Sequence, residues 1–359
     1  MRMPSIKIID LFCGIGGLSH GFVREGFDVV AGFDIDETCR FPYEANNDAF
    51  FFREDIREVT QQTINQLFGD ADIRVLVGCA PCQPFSTYAF KSPDKEKEAN
   101  NAKWSLLGEF GRLIEQVKPE IVSMENVPGL AKFDKSHIFR DFLTTLEKND
   151  YFVDYKEIYC PDYGIPQKRK RLVLLASRLS PIKIMDKTHA PQNYKTVKDA
   201  ISDLEPLESG GVCANDPIHR AAKLSDKNLI RIRQSKQGGT WRDWSEELVL
   251  DCHRKESGKT YASVYGRMEW DKPAPTMTTF CTGIGNGRFG HPEQDRAISL
   301  REAAMIQTFP RQYKFLKDDK TLNMSQLSTH IGNAVPVELG QVVAKSIKFH
   351  IKSWQKTNS

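Results

Sequence analysis

The chain has 359 residues, 40% of them hydrophobic, enough to bury one large core or two smaller ones. Its net charge of +3 is too small to argue for a polyanionic partner by itself, and no apolar run reaches the roughly 20 residues needed to cross a bilayer. Eight cysteines without a regular framework exclude a disulfide scaffold, so the chain reads as cytoplasmic with reduced thiols.

In chain order, the first half alternates short apolar runs with helical patterns, the mark of a parallel sheet with crossover helices. Strands are expected at Ile6 to Phe12, Asp28 to Asp34 and Ile73 to Val77, with helices at Gly16 to Glu25, Glu37 to Asn47 and Thr60 to Phe68. A polar loop from Thr87 to Lys103 follows, long enough to serve as a lid. The pattern then gives a helix at Trp104 to Val117, a strand at Glu120 to Met124, a helix at Ile138 to Lys148, and strands at Tyr151 to Ile158 and Arg171 to Ala176. From about Ser180 the alternation dissolves into Pro, Gly, Asp and Ser, as in a smaller, loop-rich second domain. Regular pattern resumes at Ser299 to Phe309 and Val337 to Trp354, the last a helix expected to pack back on the first domain. The fold class is therefore α/β, a doubly wound and mostly parallel sheet, with domains at 1–180 and 181–320 and a returning segment at 321–359. Residues 178–300 hold 19 basic against 16 acidic side chains, the entire positive excess.

Chemistry concentrates at the strand ends. Gly78-Cys79-Ala80-Pro81-Cys82-Gln83-Pro84-Phe85-Ser86 follows a buried strand and sets the Cys82 thiol between two prolines, where a nucleophile would be displayed. Cys79 and Cys82 form a C-x-x-C pair, but no second pair answers it, so no metal is expected. Asp10 to Gly17 joins the first strand to its helix through Gly14, Gly16 and Gly17, a glycine turn that lets a ligand approach the backbone. Ser19 stands where a dinucleotide fingerprint has its third glycine. Asp34 suits a ribose diol, and Asp55, with Ile56 beside it, suits an adenine edge.

These segments together resemble the cytosine-C5 DNA methyltransferases. The resemblance runs in order through Asp10 to Gly17, Pro81 to Ser86, Glu125-Asn126-Val127, Gln167 to Arg171, Arg301 to Ala304 and Ile331 to Pro336. It implies a Rossmann-like methyltransferase fold with a target-recognition domain, S-adenosyl-L-methionine as methyl donor, and double-stranded DNA as partner. It further implies methyl transfer to C5 of a flipped-out cytosine through a covalent bond from Cys82 to C6. Glu125 would hydrogen-bond N3 and the exocyclic amine, Arg171 would contact O2, and Arg169 would orient the thiol or a phosphate. Phe12, Ile35 and Asn333 would join the glycines and acids around the donor. For DNA contacts the sequence offers Ser86, Thr87, Arg231, Arg233, Lys236, Arg242, Thr276 and Arg288. A monomer is expected, and a restriction endonuclease acting on the same site would be a natural counterpart. A tRNA cytosine-C5 methyltransferase and a non-catalytic DNA-binding protein of this fold remain the alternatives.

Overall fold

The computed structural model describes residues 4–81, 106–132, 137–256, 258, 261–317 and 321–358. The expected loop from Thr87 to Lys103 lies outside them. The described residues divide into two compact units, one of residues 1–159, 170–187 and 335–359, the other of 160–169 and 188–334.

In the first unit the apolar runs form a sheet of β1 (Ile6–Leu11), β2 (Asp28–Asp34), β3 (Phe50–Arg53), β4 (Ile73–Gly78), β5 (Ile121–Asn126), β6 (Phe152–Tyr159) and β7 (Lys170–Ser177). Its order is β3-β2-β1-β4-β5-β7-β6. The first five strands run parallel, and β7 lies antiparallel between β5 and β6. Strands buried on both faces need near-continuous apolar sequence, which is why β1, β4 and β5 read so plainly. Strand order reverses between β1 and β4, so the crevice for a ligand opens beyond their carboxyl ends.

Helices α1 (Gly17–Arg24), α2 (Arg40–Asn47), α3 (Gln61–Phe68), α4 (106–117), α5 (Gly129–Lys132) and α6 (Ile138–Lys148) supply the crossovers. Phe110, Leu113, Phe142 and Leu146 join Ile9, Leu76 and Val122 in one buried core. The long Val337–Thr357 helix belongs to the same unit, as its apolar period indicated, and packs on α1. The contact is backbone to backbone: a Cβ on Gly21 would lie 2.4 Å from the Gly340 carbonyl carbon. Gly21→Leu is therefore expected to cost about 3 kcal/mol by overpacking, read as a fall of several degrees in the thermal midpoint. An unchanged midpoint would mean that the two helices do not meet there.

The second unit is built differently. A short hairpin of β8 (Val212–Cys213) and β9 (Asp216–Arg220) accompanies α7 (Val197–Ile201), α8 (Asp226–Gln234), α9 (Asp251–Arg254), α10 (Leu300–Ile306) and α11 (Met324–Asn333). Buried arginines hold the loops between them. Arg267 donates to the Ser235 and His291 carbonyls at 2.9 Å each, and Arg296 grips Glu302 with two bonds of 2.7 Å. Charged donors satisfy backbone acceptors that no ladder reaches, and such bonds leave no periodic trace in sequence. No helix among the described residues is long and apolar enough to cross a membrane.

Candidate active site

At the carboxyl end of β1 the chain turns sharply. Phe12 sits at φ 64°, a left-handed conformation that a bulky L-residue adopts only under surrounding constraint. The constraint is visible: the Cys13 N–H donates to the Phe33 carbonyl at 3.0 Å, and the Gly14 N–H donates to Asp34 Oδ2 at 2.9 Å. Asp34 Oδ1 accepts from the Asp36 N–H at 3.0 Å, so this carboxylate ties the β1 turn to the end of β2. Burial pushes the Asp34 carboxyl up. Ile35 beside it is 67% exposed, an apolar surface offered at the strand edge. A Cβ on Gly14 would meet nothing within 4 Å, so the turn faces open space. Gly16 caps α1 from a left-handed conformation, and Gly17 begins the helix, buried.

Asp55 follows β3 and is held at about 2 by hydrogen bonds from Arg57, whose Nε lies 2.9 Å from Oδ1. The side chain of Ile56 is buried in the sheet's core, and its carbonyl accepts from Arg112 Nη2 at 3.1 Å.

Beneath the turn lies a feature that the sequence reading quoted without assigning a role. Asp10 is buried in β1, accepts the Ser19 hydroxyl at 2.6 Å, and has no hydrogen-bond partner for Oδ1. Burial pushes its carboxyl up to about 7. A carboxyl raised in the folded state stabilises the fold below its unfolded value, and that contribution is lost as pH climbs through about 7. Between wild type and Asp10→Asn, the difference in unfolding free energy should shift by on the order of 4 kcal/mol in favour of the variant between pH 4 and pH 8. Parallel denaturation curves across that range would remove the assignment. An acid between Ile9 and Leu11 was the available signal.

At the end of β5 the structure brings together two of the expected catalytic residues. Glu125 pairs in register with Val173 and Asn126 with Leu172, so Arg171 on β7 reaches the Glu125 carboxylate, its Nε 2.8 Å from Oε1. The N–H points off the contact, and Oε1 is left buried with no hydrogen bond. Cys79 donates its thiol hydrogen to Oε2 at 2.8 Å, and the Asn126 amide donates to the Ala80 carbonyl at 3.2 Å. Glu125 and Asn126 thus fasten the segment after β4 that leads through Pro81 to Cys82. Cys82, Ser86 and Thr87 lie outside the described residues. The Cys79 contact was not foreseen, since a residue's reach across neighbouring strands is not written in spacing.

The remaining candidates belong to the second unit. Arg169 precedes β7 and is buried, with Nη1 donating to the Met277 and Gly332 carbonyls at 3.0 and 3.4 Å. Gly332 is required where it stands, because a Cβ would lie 2.2 Å from the Thr278 carbonyl oxygen. Asn333 ends α11, exposed. Arg231 is only 6% exposed and donates to the Leu248 carbonyl at 2.9 Å, its guanidinium over the Trp244 ring. Arg233 pairs with Asp295, Arg242 covers Trp241, and Arg288 donates to the Gly239 carbonyl at 2.7 Å. The Thr276 hydroxyl donates to the Lys168 carbonyl at 2.9 Å, and Lys236 is exposed.

Residues 6–349 match the family of C-5 cytosine-specific DNA methylases. The chain is 54% identical to the type II methylase M.HgiDII of Herpetosiphon aurantiacus over 95% of its length and 94% of the relative's. It is 33% identical to the type II methyltransferase M1.BsuMI of Bacillus subtilis, covering 96% of this chain and 81% of that one. Among solved structures, a protein described as a DNA modification methyltransferase encoded within an E. coli prophage superimposes with a TM-score of 0.73 at 23% identity, covering 97% of this chain and 100% of its own. The Entamoeba histolytica methyltransferase EhMeth gives 0.65 at 17%, covering 97% and 99%; both likenesses establish the fold alone. The chain belongs to the C-5 cytosine-specific DNA methylase family and is a DNA cytosine-C5 methyltransferase.

Proposed function

We propose that the enzyme takes its methyl group from S-adenosyl-L-methionine and places it on a cytosine flipped out of a specific duplex sequence, with Cys82 as the nucleophile. The observation that carries this reading is Glu125, buried between Arg171 and the Cys79 thiol, three residues of chain from Cys82.

Carbon 5 of cytosine is a weak nucleophile, and attack on C6 makes it reactive. The Cys82 thiolate forms a bond to C6, and the electron pair of the ring moves toward C5 and N3. The Glu125 carboxyl, carrying a proton on Oε1, the oxygen left without a hydrogen bond, donates it toward N3 as negative charge builds there. Arg171 holds O2, its Nε already within 2.8 Å of the same carboxylate. Once C5 carries the methyl group, a base takes the C5 proton, the C6–S bond breaks, and the thiolate returns. The ring must leave the stack for sulfur and donor to reach it from opposite faces, at a cost of a few kcal/mol of unstacking.

The donor supplies an electrophilic methyl on a sulfonium. The β1 turn suits it: open space at Gly14, the exposed Ile35 for an adenine face, and a lone pair remaining on each Asp34 oxygen for a ribose. Phe12 lies on the same turn, with Asp55 and the Ile56 backbone beyond β3. The second unit reads the target, and a companion endonuclease of the same specificity is favoured by relatives that carry type II methyltransferase names.

The test is incubation of purified protein and donor with unmethylated genomic DNA, followed by base-resolution mapping of 5-methylcytosine. One short sequence should carry the mark throughout. Random marking, none, or incorporation into tRNA in preference to DNA would overturn the reading.

A further inference from the structure

In the second unit most arginines are engaged internally. Arg231 and Arg288 bond carbonyls, while Arg233, Arg296 and Arg301 face carboxylates. Two cations differ. Arg220, ending β9, and Lys223, three residues on, make no side-chain hydrogen bond or ion pair among the described residues, and Arg220 Nε is shut off from solvent with no acceptor. Both line one cleft of about 470 Å³. Thr282, Ser325 and Ser328 add hydroxyls to its wall, no acidic side chain among the described residues lines it, and Phe280 stands at it 51% exposed.

Arg220 and Lys223 bring two positive charges without a carboxylate partner to the cleft wall, and an incoming anion would neutralise them. A sugar–phosphate backbone brings an anion and an apolar sugar face together, the two chemistries this cleft offers. We propose that the cleft binds the phosphodiester backbone of duplex DNA, with Arg220 and Lys223 on phosphates and Phe280 against the adjoining sugar. The inference rests on the second unit being the one that reads DNA, and it assigns the contact to residues other than the arginines that the sequence first suggested.

Each phosphate neutralised by a protein cation adds about 0.9 to the slope of log affinity against log salt. The experiment measures equilibrium binding of a duplex carrying the mapped target site between 50 and 300 mM salt. The proteins compared are wild type, Lys223→Ala, Arg220→Ala/Lys223→Ala, and the charge-keeping Arg220→Lys/Lys223→Arg. The slope should fall by about 0.9 in the single variant and about 1.8 in the double alanine variant, with roughly tenfold weaker binding per contact at low salt. The charge-keeping variant should hold the wild-type slope, and turnover at saturating DNA should be unchanged in all. Since Lys223 is exposed, its replacement tests the idea even where the double variant folds poorly. Unchanged slopes in the alanine variants, or equal loss in the charge-keeping one, would refute the cleft while wild-type methylation stands. A wild-type protein that neither binds nor methylates DNA would remove the underlying reading as well.

Discussion

Cys82→Ser gives no detectable 5-methylcytosine while donor binding and the thermal midpoint stay near wild type. A hydroxyl is a far harder nucleophile than a thiolate and is un-ionised at neutral pH, so C6 is not attacked and C5 never becomes reactive. A free thiol of pKa about 8.5 already supplies a few per cent thiolate, and neighbouring cations raise that share. The effect should exceed any other single replacement, since the remaining groups only assist a bond that Cys82 must form. A duplex containing 5-fluorocytosine at the target should become covalently attached to wild type and not to the variant. Normal product from Cys82→Ser would end the nucleophile assignment.

Glu125→Gln is expected to lower kcat by about 10²- to 10⁴-fold, the range a positioned acid or base contributes. Glutamine has nearly the same shape, so the change removes proton donation and charge with little change in volume. Its amide also faces Arg171 without neutralising it, and a partly buried cation stripped of its partner is costly to the fold. For that reason the readout includes unfolding as well as turnover. Reduced stability with full kcat would make Glu125 a structural partner of Arg171 and nothing more. Loss of kcat with donor affinity preserved supports contact with the reacting ring.

Much of this site could be read before any coordinates were known, and the reason differs from part to part. Strands such as β1 and β5 announce themselves because burial on both faces demands near-continuous apolar residues, and motif residues such as Glu125 fall at their ends. The crossover helices were equally plain from their spacing, the four-residue α5 excepted. The second unit was not, since its order comes from Arg267 and Arg296 reaching loop carbonyls and carboxylates, interactions without period. Helix α11 escaped notice because Leu327 and Ile331 are its only large buried side chains. Sequence also cannot tell a guanidinium turned inward from one facing solvent. Arg231 and Arg233 look alike in the chain, yet one is buried over Trp244 and the other lies at the surface with Asp295.

The chain enters and leaves the sheet-bearing unit repeatedly, and residues 335–359 return to it only after the whole second unit has been made. During synthesis on the ribosome, Leu18 and Gly21 must therefore wait uncovered until residues 337–357 emerge. No contiguous gene fragment encodes that unit. A nonsense codon ahead of residue 337 should behave as a complete loss of function, and separately expressed pieces could regain activity only if residues 337–357 are supplied in trans.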